Sequence, residues 1–305
     1  MVKPFSPVAL KSKVDELLAC ESKAELVKPT QSCSKKPAGD LSLDFAFPPR
    51  PTSLVNIQQE LSKPDPRLGY ITEQITADIT LSAAVLKIVN SPYYGLTNKV
   101  SSIMEAANLI GINRIQHLVM AETVKNSIRL PAGLEDFWEE ISKSAVMGAT
   151  MSKHLGFDAN LSYLMGLFHD TGVPLMAAKY PDYVDSLRQF HNETEELCEV
   201  EKRNFNMCHA MLGGLLARSW FLPAPLIEAI RLHHSLELFN LKLDSTVLEI
   251  IAIHWIADHL AGRLKGNIDT HFLLLEHQLR EYLMLTNDTV YQGLIDAAMD
   301  AIDAE

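Results

Sequence analysis

The stretch YLMGLFHDTG, residues 163–172, carries an apolar helical run onto two polar side chains, His169 and Asp170. An imidazole and a carboxylate at the end of such a run are costly unless they are hydrogen-bonded or bound to a cation. The same signature recurs three times downstream. His209 sits in MCHAMLGG, His233 and His234 close AIRLHHS, and Asp258 lies in HWIADHLA. An adjacent His-Asp pair at a helix end offers one nitrogen and one oxygen ligand to a point just beyond the helix. Asp258 follows His254 by four residues on an apolar stripe, where an unpaired carboxylate would cost several kcal/mol, about 3–5 by analogy with a broken buried pair. A hydrogen bond to a neighbouring helix would also satisfy it. His233 and His234 are adjacent, so on a helix they point about 100° apart and suit two metals better than one; alternatively, one is a core histidine and the other covers the helix C-terminus. His209 precedes AMLGG and also fits the start of a helix packed close against glycine.

Working outward, the chain reads as helix after helix. LSAAVLKIVN places Leu81, Val85 and Ile88 on one face, and SIMEAANLI repeats the pattern with Ile103, Ala107 and Ile110. Trp138, Ile141, Ala145, Ala149 and Ser152 form another stripe, and Ser245 to Leu264 a long one through Val247, Ile250, Ile251, His254, Asp258 and Ala261. Pro64, Pro66, the turn from Ser91 to Gly95, Gly111, Pro131, Gly133, Gly156, Gly172, Pro174 and Pro181 punctuate segments of bundle length. Period-2 alternation is not evident, so the fold class is all-α. Residues 20–44 are rich in Ser, Lys, Thr and Pro and read as a flexible tail within 1–44, with a short helix over Val8 to Ala19.

Composition excludes several functions. The net charge of −11 argues against a nucleic-acid surface, since phosphate binding rests on Lys and Arg. Residues 1–40 hold seven Lys against five acids, which leaves the remainder at −13. No segment reaches the roughly 20 apolar residues of a membrane span, and MVKPFSPVALKSK lacks the apolar core of a signal peptide. The four cysteines form no CxxC pair, and a reducing cytoplasm is the expected location.

Four segments together carry a resemblance: FPPRPTSLVNIQQELSKPDPRLGYITEQITADITLSAAVLKIVNSPYYG, SSIMEAANLIGINRIQHLVMAET, GLFHDTG and HAMLGGLLARSWFLPAPLIEAIRLHH. Over about Phe47 to His234 the chain resembles the HDOD domain, a degenerate relative of the HD phosphohydrolases found in bacterial signalling proteins. The resemblance implies an HD-superfamily-like multi-helix bundle in two helical lobes. Its boundaries would be a 45–240 HDOD domain, split into 45–130 and an HD-like core at 131–240, with helices in 241–305 completing the core. It also implies that a first His on the helix before the His-Asp pair completes a metal shell. Here that helix reads DFWEEISKSAVMGA, so Glu139, Glu140 and Ile141 stand where that His is expected, and Val173 replaces a Lys common in active enzymes. Glu140 could substitute as an oxygen ligand.

The implied metal set is therefore His169, Asp170, His209, His233, His234 and Asp258, for iron, manganese or magnesium. His209, His233 and His234 match positions that build a second metal shell in HD-GYP phosphodiesterases. Two losses on the catalytic side favour a non-catalytic signalling module that works through contacts with a separate signalling protein. The alternatives are a metal-dependent phosphohydrolase of nucleotides or cyclic dinucleotides, with Arg231 or Arg114 holding phosphate, and a module that senses a nucleotide without turnover. The composition of 20–40 makes one expectation testable at once: limited proteolysis should cut there first, because little apolar burial offsets about 1–2 kcal/mol of backbone entropy per residue. Protection of that stretch while the chain is cut beyond Phe47 would contradict it.

Overall fold

Four aspartates set where helices begin. Asp78 accepts the backbone N–H of Leu81, Asp158 those of Asn160 and Leu161, Asp244 that of Thr246, and Asp269 those of His271 and Phe272. Each satisfies donors that the first turn leaves unpaired. Gly111 (φ 89°) and Gly156 (φ 78°) close helices in a region open to glycine at little cost.

The computed structural model describes residues 45, 47, 48, 50–91, 94, 96–190, 197–266 and 269–303. They are helical, with no strand among them. Both the tail expected over 1–44 and its helix over Val8 to Ala19 lie outside the described residues. The described residues fall within the compact unit Ser42–Glu305.

A first group comprises α1 (Thr52–Leu61), α2 (Leu68–Thr76), α3 (Ile79–Val89), α4 (Ile103–Ile110) and α5 (Ile112–Ser127). They pack on one another around Leu54, Ile57, Ile71, Ile75, Leu81, Val85, Ile115 and Leu118, all buried. The stripe read on α3 holds at Leu81 and Val85, but Val89 and not Ile88 is the third buried residue. Asn90 staples the end of α3 to the loop that follows, donating to the Val100 carbonyl and accepting its N–H.

The second group starts with α6 (Phe137–Leu155), against which α7 (Ala159–Phe168) runs back. Short helices α8 (Gly172–Lys179), α9 (Tyr183–Phe190) and α10 (Leu197–Phe205) lead to α11 (His209–Ser219) and α12 (Ala224–Leu232). The long α13 (Ser245–Leu264) packs on α6, α7 and α12, and α14 (Thr270–Tyr282) and α15 (Asp288–Asp303) finish the chain, α15 against α6. On α6 the expected stripe is buried at Ile141, Ala145, Ala149 and Ser152, while Phe137 takes the core position expected of Trp138. The two groups meet where α5 packs on α7 and where α1 reaches the end of α11. There Gln58 donates to the Trp220 carbonyl at 3.2 Å, and the Arg50 guanidinium lies 4.3 Å over the Phe221 ring.

Two close approaches fix the site. A Cβ on Gly166 would lie 2.2 Å from the Ala145 Cα, so α6 and α7 touch backbone to backbone, one turn before His169. A Cβ on Gly172 would lie 2.0 Å from the His209 carbonyl oxygen, so the start of α8 is pressed against the start of α11. Substituting Gly166→Ala should therefore destabilise the protein by about 1–3 kcal/mol or more, because the clash is with backbone. Gly69→Ala, where nothing lies within 4 Å, should change stability by less than about 1 kcal/mol. Urea unfolding followed by circular dichroism measures both, and equal losses would refute the packing argument.

Candidate metal centre

Site residues come from four places in the chain. His169 and Asp170 follow the end of α7, His209 opens α11, His233 and His234 lie just past α12, and His254 and Asp258 share one face of α13. Their ligand atoms form two groups. In one, Asp170, His209, His233 and His234 each offer an atom within 4.8 Å of the others; in the second, His169, His254 and Asp258 do the same.

Hydrogen bonds on the far side of the rings orient three of the imidazoles. His169 Nδ1 donates to the Gly166 carbonyl at 2.8 Å, and His233 Nδ1 to the Ile230 carbonyl at 2.7 Å. His209 Nδ1 donates to the Glu201 carboxylate at 2.8 Å, and Glu201 also accepts the His209 backbone N–H at 2.8 Å and the Tyr183 hydroxyl. With Nδ1 tied in this way, each ring turns Nε2 inward, toward Asp170. The distances are 3.3 Å from His169 to Oδ2, and 3.3 and 3.4 Å from His209 and His233 to Oδ1. Asp170 Oδ1 and His233 Nε2 are buried and lack a hydrogen-bond partner of good geometry. Such orphans are rare unless a cation or water completes them, and an Nδ1–H held by a carboxylate or carbonyl is the usual outer support of a metal-bound histidine. The residues present therefore fit a cation.

The charges respond strongly to this crowding. Burial works against charge on His169, but the carboxylates of Asp170 and then Asp258 lift its pKa to about 9. Burial opposes charge on His209 as well, and Glu201 with Asp170 holds it well above the ordinary range. Burial alone would raise Asp170; the His169 charge, followed by contacts from His209 and His233, holds it well below the carboxylate range. Desolvation lowers His233, and lowers His234 and His254 well below 6.5. Asp258, whose side chain keeps half its surface, is pushed up to about 6 by desolvation despite His169. Without a cation, protons substitute for it: His209 Nε2 and His234 Nε2 lie 2.9 Å apart, a distance that requires one proton between them.

The structure brings together all six residues singled out from the sequence, and changes two readings. The pair His233 and His234 does serve one group, because α12 ends at Leu232 and the turn that follows lets both rings face Asp170, with centroids 4.1 Å apart. Glu140 is exposed and paired with Lys265, outside both groups. Sequence reasoning did not single out Glu201, fully buried within the charged-looking LCEVEKRNF, nor the role of His254, whose spacing of four from Asp258 was the available signal. It also missed that Cys198 and Cys208 meet beside Glu201, where the Cys198 thiol contact and the N-terminus of α11 lower Cys208 to about 6.

This architecture, an all-α bundle with a His-Asp pair at the end of one buried helix and imidazoles gathered around it, defines an HD-like fold. The HDOD domain family matches residues 47–236, and the chain belongs to that family. An uncharacterized protein of Treponema pallidum is 28% identical over 194 residues, covering 62% of this chain and 38% of that one, so the chain spans under two fifths of that relative. Among solved structures, a protein of Shewanella amazonensis SB2B named as a candidate phosphohydrolase superimposes with a TM-score of 0.65 at 20% identity, covering 85% of this chain and 94% of that one. A Marinobacter aquaeolei VT8 protein named as a candidate signal transduction protein gives 0.61 at 18%, covering 96% and 65%. At these identities the likeness is one of fold.

The charge argument is testable in metal-free protein. By histidine-detected NMR, His169 should titrate near 9, and in Asp170→Asn its pKa should fall toward or below 6.5 as burial goes largely unopposed. An unchanged value would mean that Asp170 is not the group holding the proton there.

Proposed function

We propose that the chain is an HDOD signalling module whose core holds a divalent metal, and that its output is contact with a separate protein and not turnover. The observation that carries the metal is the inward aim of three imidazoles, each fixed through Nδ1, on a carboxylate whose Oδ1 is buried without a good partner. Asp170, His209, His233 and His234 would hold it. An imidazole-rich set argues for iron or manganese over magnesium, which prefers oxygen donors and keeps its waters. When bound, such an ion can polarise a phosphoryl oxygen or activate water. The chain's own residues orient the ligands, and Asp258 and Asp170 leave the site open on the solvent side.

Absence of turnover is supported by the phosphate side of the problem. The leading electrostatic influences on Asp170, His233, His234 and Asp258 are each other, His169, His209, Asp269 and Ser144, with no Lys or Arg among them. A phosphate ester would meet the carboxylates of Asp170 and Asp258 there, and the groups that act most strongly on them are imidazoles and other carboxylates. The Marinobacter structure's name is in keeping with a signalling role. A second reading, metal-dependent phosphohydrolase, draws on the half-exposed Asp258 carboxyl at the open side of the site and on the Shewanella protein's name. Sensing of a nucleotide would require a cationic group to hold its phosphate. The domain division at 45–240, with later helices completing the core, belongs to this proposal, as does a cytoplasmic setting.

Protein purified without chelator should contain stoichiometric metal and hydrolyse bis-p-nitrophenyl phosphate no faster than the free ion; clear turnover would promote the phosphohydrolase. Metal at 100 times its Kd should stabilise the wild type by about 2.7 kcal/mol, and the increment should vanish in Asp170→Ala. Because His209, whose proton Glu201 and Asp170 hold well above the ordinary imidazole range, must lose it to ligate, affinity should rise as the pH is raised. A wild type indifferent to chelator would defeat the proposal.

A further inference from the structure

Two thiols meet behind the imidazole cluster. Cys198 lies in the first turn of α10 and Cys208 immediately precedes α11, and both are free and buried, at 7% and 3% exposure. They form one buried cluster with Ala210, in which the Cys198 thiol is hydrogen-bonded to the sulfur of Cys208. Around them the surroundings are charged or dipolar. The opening N–H groups of α11 reach both sulfurs, Ala210 toward Cys198 and Met211 toward Cys208, and the Lys202 ammonium feels both. Glu201, one turn after Cys198, brings a carboxylate oxygen within 4.8 Å of the Cys198 sulfur. Its oxygens are already taken by the Tyr183 hydroxyl and by the backbone N–H and ring Nδ1 of His209, so the sulfurs are left to each other. Reactive cysteines sit at helix N-termini beside cationic side chains, whereas inert ones are buried in apolar surroundings.

We propose that Cys198 and Cys208 are a peroxide-reactive dithiol, a modification site that a small hydroperoxide converts reversibly into a disulfide. In the first step the Cys208 sulfur bonds to one peroxide oxygen as the O–O bond breaks, and the other oxygen leaves as water with the thiol proton. In the second, the Cys198 sulfur attacks the sulfur of this sulfenic acid, the S–S bond forms as the S–O bond breaks, and a second water carries off the Cys198 proton. Two thiols are oxidised and one hydrogen peroxide is reduced to two waters. Burial of both sulfurs restricts the oxidant to a molecule as small as hydrogen peroxide. The bond joins the residue before His209 to the helix that carries Glu201, and its formation does not depend on a bound metal.

The test treats the reduced whole chain with hydrogen peroxide, blocks remaining thiols with N-ethylmaleimide under unfolding conditions, and digests without reductant for mass spectrometry. The Cys198 peptide should be recovered joined to the Cys208 peptide, and dithiothreitol should restore both free thiols. In the double variant Cys20→Ser/Cys33→Ser, which leaves only this pair, the count of free thiols should fall from two to none. Cys198→Ser removes the second thiol, so Cys208 should be trapped as its dimedone adduct. The double variant keeps the buried pair intact and carries the test even if Cys198→Ser does not fold. Recovery of Cys198 and Cys208 as free thiols, their irreversible oxidation to sulfinic acids, or links from either to Cys20 or Cys33 in place of the pair would overturn the inference.

Discussion

A carboxylate enclosed by imidazoles has to be compensated, and the helices of the second group are arranged around how Asp170 achieves this. Its oxygens meet Nε2 atoms from three separate elements, delivered by the ends of α7 and α12 and the start of α11. Removing the carboxylate would take away a charge that keeps His169 and His209 protonated. Removing one ring would leave an oxygen without a counterpart. The arrangement is therefore collective. It also explains why the outer supports are strong: Glu201 is fully buried yet accepts from Tyr183, from the His209 backbone and from the His209 ring, so the position of His209 is over-determined.

Close packing makes that geometry reachable. Gly166 lets α7 touch α6 through backbone, and the carbonyl of this same residue receives the His169 Nδ1 proton. Gly172 lets the start of α8 meet the His209 carbonyl. Each glycine thus acts twice, removing the bulk that would hold the helices apart and setting the distance between ligands. A methyl group at either place would displace a ligand as well as strain the core, which ties metal affinity to helix spacing.

Much of this could be read from the sequence, for a physical reason. His169, Asp170, His209, His233, His234 and Asp258 were conspicuous because each interrupts an apolar helical pattern, and the pattern itself located the helices. The parts that were hidden had no such contrast. Glu201 lies among Cys198, Glu199, Lys202 and Arg203, a composition that reads as a solvated face, and only tertiary packing buries it. The convergence of His233 and His234 depended on α12 stopping at Leu232, and helix ends are uncertain from sequence by a residue or two. Glu140 was placed by a register on α6 that says nothing of Lys265, 125 residues away. Cys198 and Cys208 are ten apart with a helix end between them, a spacing without a local signature.

The helix α11 joins two distant parts of the molecule. It begins with His209 in the imidazole cluster and ends at Ser219, beside Trp220 and Phe221, where Gln58 and Arg50 from the first helical group take hold. Eleven helical residues make a rod of about 16 Å, stiff along its axis because every turn is hydrogen-bonded to the next. The imidazole cluster and the contacts made by Gln58 and Arg50 therefore lie at opposite ends of one hydrogen-bonded element. A single rigid helix thus spans from the buried cluster to the junction with the N-terminal helices, so the spacing between the two is set by its length.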